Sequence, residues 1–187
     1  MNGPYICGLL WAIFACVWLI AWMRTKRTQE RAPLSFRLLY GVPVAIASYL
    51  MFNDNAALRW GGAHFVPRTP LIQSAGILLT AAGIAFAIWA RFYLGQNWSS
   101  AVSIKVGHQL IRTGPYQWVR HPIYSGLLVA LLGTALARGK LISLVALPLF
   151  FLGFWTKSRM EEQFMRKTFG QEYEDYSQST GALVPKF

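Results

Sequence analysis

The sequence predicts an all-α integral membrane protein with five transmembrane helices followed by amphipathic helices at its C-terminal end. Three observations lead there. Of 187 residues, 55% are apolar and only 13% charged. Apolar runs of 15 to 20 residues recur five times, close to the ~20 residues that cross a bilayer as a helix. Lysine and arginine collect in alternate connectors between those runs.

The first run, residues 4–23, carries no charge, and its first basic neighbour, Arg24, follows it. A secretory leader has the reverse layout, so a permanent first span is expected with its start outside. A second run, 38–52, is short and contains Pro43. The third, 71–90, follows a polar loop. The fourth, 123–137, opens behind Pro122, a residue tolerated in the first turn of a helix. Arg138-Gly139-Lys140 then makes a tight connection to the fifth, 141–155, in which Pro148 predicts a bend. From Lys157 onward the pattern becomes amphipathic: Met165, Phe169, Tyr173 and Tyr176 recur at helical spacing, with Gly170 as a candidate break.

Gly76, Thr80, Gly83 and Ala87 form one stripe of small residues; Gly126, Ala130, Gly133 and Ala137 form another. Such stripes let two helices approach closely in lipid, although an Ala-rich span produces them by chance as well.

The formal charge is +11. The basic residues sit in short clusters between apolar runs, which fits an anionic membrane face and argues against nucleic acid as a partner. Fourteen Lys and Arg fall in the connectors 24–37 and 91–121 and in the tail, against four in the remaining connectors. The expected topology therefore has the N-terminus outside and the C-terminus cytoplasmic. Cys7 and Cys16 lie nine residues apart on one predicted helix, on nearly opposite faces, and cannot bridge each other. No metal spacing is present among the cysteines and histidines, so no metal is expected.

A cluster of titratable and aromatic side chains runs from Gly114 to Gly126, at the mouth of the fourth span. Ionisable groups there point to a site. His121 can act as acid, base or donor, and Arg120, Tyr116 and Tyr124 are its neighbours. Tyr116 and Tyr124 also suit an interfacial aromatic belt. Glu161 and Glu162 emerge beyond the fifth span on the same side. Two readings stand open: a solvated helix face with Glu162 pairing to Arg166, or a carboxylate closing over a ligand.

Leu94-Gly95-Gln96-Asn97-Trp98-Ser99, Gly107-His108-Gln109-Leu110-Ile111-Arg112-Thr113-Gly114-Pro115-Tyr116, Val119-Arg120-His121-Pro122-Ile123-Tyr124-Ser125-Gly126 and Glu161-Glu162 with Phe169-Gly170-Gln171-Glu172-Tyr173-Glu174-Asp175-Tyr176 resemble the isoprenylcysteine carboxyl methyltransferase family and its prokaryotic relatives. The resemblance covers residues 94–187 and divides the chain into an N-terminal three-span region, 1–93, and a catalytic region, 94–187. It implies an integral membrane enzyme, in a prokaryotic inner membrane, that transfers the methyl group of S-adenosylmethionine to a lipophilic or prenylated acceptor, from a cofactor pocket at the cytoplasmic face. Carried over residue by residue, the implied cofactor contacts are His108, Gln109, Leu110, Ile111, Tyr116, His121, Pro122, Ile123, Tyr124 and Glu161. The family's substrate-contacting arginine falls at Lys157, with Arg159 nearby, so Lys157, Arg159 and Glu161 are the candidate catalytic residues. Phospholipid amine methylation is an alternative; an NADPH-dependent sterol-type reductase and a non-catalytic membrane scaffold are alternatives of other classes.

Overall fold

A computed structural model describes residues 2–23, 28–31, 33–53, 63–95, 98, 103–105 and 110–186. Its helices are α1 (Gly3–Trp22), α2 (Leu34–Phe52), α3 (Pro70–Leu94), α4 (Pro122–Arg138), α5 (Leu141–Phe169) and α6 (Gln171–Ser179), with a 3-10 turn at Gly114–Gln117. Four of them, α1, α2, α3 and α5, are long and apolar enough to cross a membrane. α4 is apolar but has 17 residues, which spans about 26 Å at 1.5 Å per residue. That is slightly short of the ~30 Å hydrocarbon core.

Three helices, α1, α3 and α4, start where local chemistry allows. Pro4, Pro70 and Pro122 occupy first-turn positions, where a missing N–H costs nothing. Thr69 caps α3 by accepting from the Ile72 N–H at 3.3 Å. Three boundaries differ from the expectation. α3 runs to Leu94, four residues past the expected end at 90. α2 begins four residues before residue 38 and reaches 19 residues, because its first turn is a continuous helix through Phe36 and Arg37. The fifth span and the first amphipathic segment are one helix: α5 continues without a break for 29 residues, and the chain turns only at Gly170, whose φ of 52° is a left-handed value glycine adopts freely. A two-stranded antiparallel ribbon, β1 (Thr28–Arg31) with β2 (Ser103–Lys105), is added to the helices.

The two small-residue stripes pack against each other. A Cβ placed on Gly83 would lie 2.4 Å from Ala130 N and 2.5 Å from Gly126 O; one on Gly133 would lie 2.4 Å from Thr80 N; one on Gly76, 2.5 Å from Ala137 N. α3 and α4 thus touch backbone to backbone, as small residues permit in lipid. A buried polar knot crosses this seam. Thr80 Oγ1 donates to Gly76 O at 2.8 Å and lies 3.3 Å from Thr134 Oγ1, while Trp11 Nε1 donates to Thr134 Oγ1 at 3.0 Å, bringing in α1. α2 packs on α5, where Ala47, Met51, Ala146 and Phe150 join Leu131 and Ala135 of α4 in one core. Gly83→Ala is expected to destabilise the protein by about 1–3 kcal/mol through overpacking. Gly8, with open space around it, is the control: Gly8→Ala should leave the unfolding midpoint in detergent unchanged or higher.

The connectors segregate to the two ends. β1–β2 pairing joins the 24–37 connector to the α3–α4 connector. At the opposite end, Phe65 N donates to Gly139 O at 2.9 Å and Leu141 N to Ala63 O at 2.7 Å, joining the α2–α3 loop to the α4–α5 turn.

Candidate functional site

The chain leading into α4 is held by its own C-terminal segment. Backbone N–H groups of Arg120 and His121 donate to Gly181 O at 2.8 Å and Ala182 O at 3.0 Å, and Ser125 Oγ donates to Leu183 O at 2.7 Å. Pro122 restricts the backbone of His121, the residue that precedes the first turn of α4 (φ −124°, ψ 59°). His121 and Tyr124 therefore emerge at a fixed place, facing the stretch of α5 that follows its apolar part.

Six side chains converge there. Tyr124 Oη donates to Glu161 Oε1 at 2.6 Å. His121 Nδ1 lies 3.4 Å from Glu161 Oε2. The His121, Tyr124 and Phe154 rings stack in series, with centroids 5.6 and 5.4 Å apart. Lys157 Nζ sits 5.4 Å from the Tyr124 ring centroid and 5.3 Å from that of Tyr40 on α2. Helical spacing explains part of this: Lys157 and Glu161 are one turn apart on α5 and share a face.

Glu162 serves the neighbouring face. It is fully buried, and Arg120 donates to its Oε1 from Nε at 2.9 Å and Nη2 at 2.6 Å. Arg120 Nη1 also donates to the carbonyls of Ser177 and Thr180. The solvated reading of Glu162 is thereby corrected. Arg166 is near it, at 3.6 Å, but the principal partner is Arg120, whose approach comes from folding of the tail and not from helical spacing. Burial opposes ionisation of Glu162, yet His121 and the Arg120 fork outweigh it and hold its pKa at about 2. A carboxyl depressed from 4.5 stabilises the fold fully above that value and loses the contribution as pH falls toward 2. The unfolding midpoint in detergent should fall over that interval, and less so in Glu162→Gln.

The other expected contacts lie behind or beside this cluster. Tyr116 and Ile123 are buried with Ala90 and Trp98, and Ile111 and Tyr124 pack on that group. Tyr116 Oη donates to Ala90 O at 3.3 Å, and its carbonyl accepts from Tyr176 Oη at 2.6 Å. Pro122 is fully buried, and Leu110 is half-buried. Arg159 is exposed, lying over the Trp155 ring and 3.8 Å from Glu162 Oε2, away from Glu161. His108 and Gln109 lie outside the described residues. Sequence reasoning missed Tyr40, Phe154 and the carbonyls of the tail. Tyr40 and Phe154 carried no distinguishing signal among so many membrane aromatics, whereas the adjacency of Arg120 to His121 and of Glu162 to Glu161 was a signal for the second pair.

Fold and site together define a multi-pass helical membrane protein with an aromatic and carboxylate-lined site at one end of its bundle. A family model described as phospholipid methyltransferase matches residues 71–172, and the chain belongs to that family. A probable protein-S-isoprenylcysteine O-methyltransferase of Oryza sativa subsp. indica is 32% identical over 117 residues, covering 61% of each chain. The protein-S-isoprenylcysteine O-methyltransferase of Saccharomyces cerevisiae is 31% identical over 123 residues, covering 63% of this chain and 50% of its own length. A cobalt-zinc-cadmium resistance protein of Cupriavidus metallidurans is 26% identical over 142 residues, covering 75% of this chain and 59% of its own. Among solved structures, the eukaryotic intramembrane Ras methyltransferase, isoprenylcysteine carboxyl methyltransferase, is similar at a TM-score of 0.51 and 27% identity, with 80% of this chain and 50% of that one covered. The chain thus spans about half to three fifths of the length of these relatives.

Proposed function

We propose that this chain is an integral membrane methyltransferase that uses S-adenosylmethionine to methylate the carboxylate of a lipophilic, isoprenylcysteine-type acceptor. The observation that carries the reading is the Glu161 carboxylate held by Tyr124 and His121 beside a stack of aromatic faces. A cationic cofactor fits that donor set, since a carboxylate and ring quadrupoles both favour positive charge. S-adenosylmethionine supplies an electrophilic methyl group that leaves a sulfonium by in-line displacement.

The chain's own residues do the positioning. Tyr124 fixes one Glu161 oxygen and leaves the carboxylate aimed. Phe154 and Tyr124 wall the site against water, which preserves alignment and strengthens the charge interactions. Lys157, between Tyr40 of α2 and Tyr124 of α4, is suited to hold an anionic acceptor whose tail lies between the helices. Arg159, exposed on the other face, suits a lipid phosphate at the surface. His108, Gln109, Leu110 and Ile111 are assigned to the cofactor side by family resemblance, and Tyr116, Pro122 and Ile123 support that side from behind.

In this reading all five long helices cross the bilayer, α4 included, because its two ends meet opposite groups of connectors. The N-terminus is outside, and the site and the C-terminus face the cytoplasm of a prokaryotic inner membrane, with 1–93 as the membrane scaffold and 94–187 as the catalytic region.

Purified protein titrated calorimetrically with S-adenosylmethionine is expected to release binding heat. Labelled methyl groups should then appear as a base-labile ester on a farnesylcysteine analogue. Absence of both heat and transfer overturns the reading; label in phospholipid head groups replaces the carboxylate acceptor with an amine.

A further inference from the structure

His121 meets a carboxylate at each ring nitrogen. Nδ1 is 3.4 Å from Glu161 Oε2, and Nε2 is 3.4 Å from Glu162 Oε1. The two carboxylates differ in setting. Glu161 retains 22% side-chain exposure and accepts from Tyr124, whereas Glu162 is fully buried and accepts twice from Arg120. A neutral imidazole has one N–H and one lone pair, so in this setting its lone pair would face a carboxylate oxygen. Only the imidazolium presents a proton to both neighbours.

We propose that Glu162, backed by Arg120, is a positioning residue that keeps His121 as an imidazolium, each ring nitrogen 3.4 Å from a carboxylate oxygen, and thereby aims it at Glu161. The functional consequence rests on the methyltransferase reading of that site. His121 then has no lone pair to offer and is withdrawn from general-base duty. An acceptor at the site must arrive already ionised, which a carboxylate does and an ammonium or phenol does not.

The groups around His121 are consistent with this assignment. Tyr124 of α4 stacks on the ring, Glu161 and Glu162 of α5 flank it, and Arg120 precedes it in the chain. Glu161 is further influenced by Lys157 and Tyr116, and Glu162 by Arg159, Arg166 and Tyr173. Burial alone disfavours charge on His121, but the two carboxylates outweigh it and raise the imidazole pKa above its ordinary value. A raised histidine contributes stability in full below pH 6.5 and loses it as pH climbs through the folded value.

The chain has three histidines, His64, His108 and His121, so nitrogen-15 imidazole spectra of the full chain in detergent, assigned with His121→Asn, isolate this residue. The expected result is protonation of both His121 nitrogens at pH 7.5. In Glu162→Gln, His121 should titrate about one pH unit lower or more, with part of the difference recovered in Glu162→Asp. A neutral His121 in the unmodified protein at pH 7.5 overturns the proposal, as does an unchanged titration in folded Glu162→Gln. If Glu162→Gln does not fold, the unmodified protein alone decides. The spectra are taken without S-adenosylmethionine, so an imidazolium found in a protein that neither binds nor transfers methyl would sink the enzyme reading and leave this assignment standing.

Discussion

Glu161→Gln is expected to weaken S-adenosylmethionine binding by about 100-fold or more and to lower methyl transfer in proportion. Truncating the charge of one partner in a desolvated ionic contact commonly costs about 2–5 kcal/mol. Glutamine keeps the shape and can still accept from Tyr124 Oη, which now donates at 2.6 Å, so the change isolates the charge. Tyr124→Phe removes only the hydroxyl and should cost about tenfold, in line with ~1.5 kcal/mol for a hydrogen bond to a charged group. Calorimetric titration and initial rates of both variants check the pair. Wild-type affinity in Glu161→Gln would mean that the carboxylate does not face the cationic cofactor.

Arg120→Ala should destabilise the fold by about 3–5 kcal/mol, the usual consequence of leaving one member of a buried ion pair behind. Three connections fail together: the fork on Glu162, the bond to Ser177 O and the bond to Thr180 O. The C-terminal segment should then become sensitive to carboxypeptidase at temperatures where the unmodified protein resists. Arg120→Lys keeps the charge but cannot reach both the carboxylate and the tail carbonyls, so it should recover only part of the loss. Unfolding midpoints in detergent measure the series, and an unchanged midpoint in Arg120→Ala would remove Arg120 from its role as the tail's anchor.

Much of the helical framework was legible because lipid imposes length and apolarity on every crossing segment, and Pro70, Pro122 and Gly170 punctuate the ends. The stripes at Gly76 to Ala87 and Gly126 to Ala137 were visible as spacings, yet only the packed structure shows that each fills the other's groove. Tyr124 and Glu161, 37 residues apart, were both singled out as contacts of one cofactor, and they are hydrogen-bonded. The Arg120–Glu162 pair escaped because its geometry depends on where the tail returns, at Thr180 to Leu183, and local periodicity carries no information about such a return. The continuity of α5 past Trp155 was obscured by a change of composition: an apolar helix and an amphipathic one look like two elements in sequence, whereas the backbone hydrogen bonds are indifferent to which face is wet.

The seam between α3 and α4 bears on how such a protein can be rearranged. Because Gly83 and Gly126 meet at backbone distance, α3 is keyed, tooth for tooth, into α4, and both helices lie in the region that the family model matches. A chimera grafting residues 94–187 onto a foreign set of leading helices would have to import the matching glycines of α3 with them. Shuffling between homologues should therefore tolerate crossover points before residue 70 far better than points between α3 and α4.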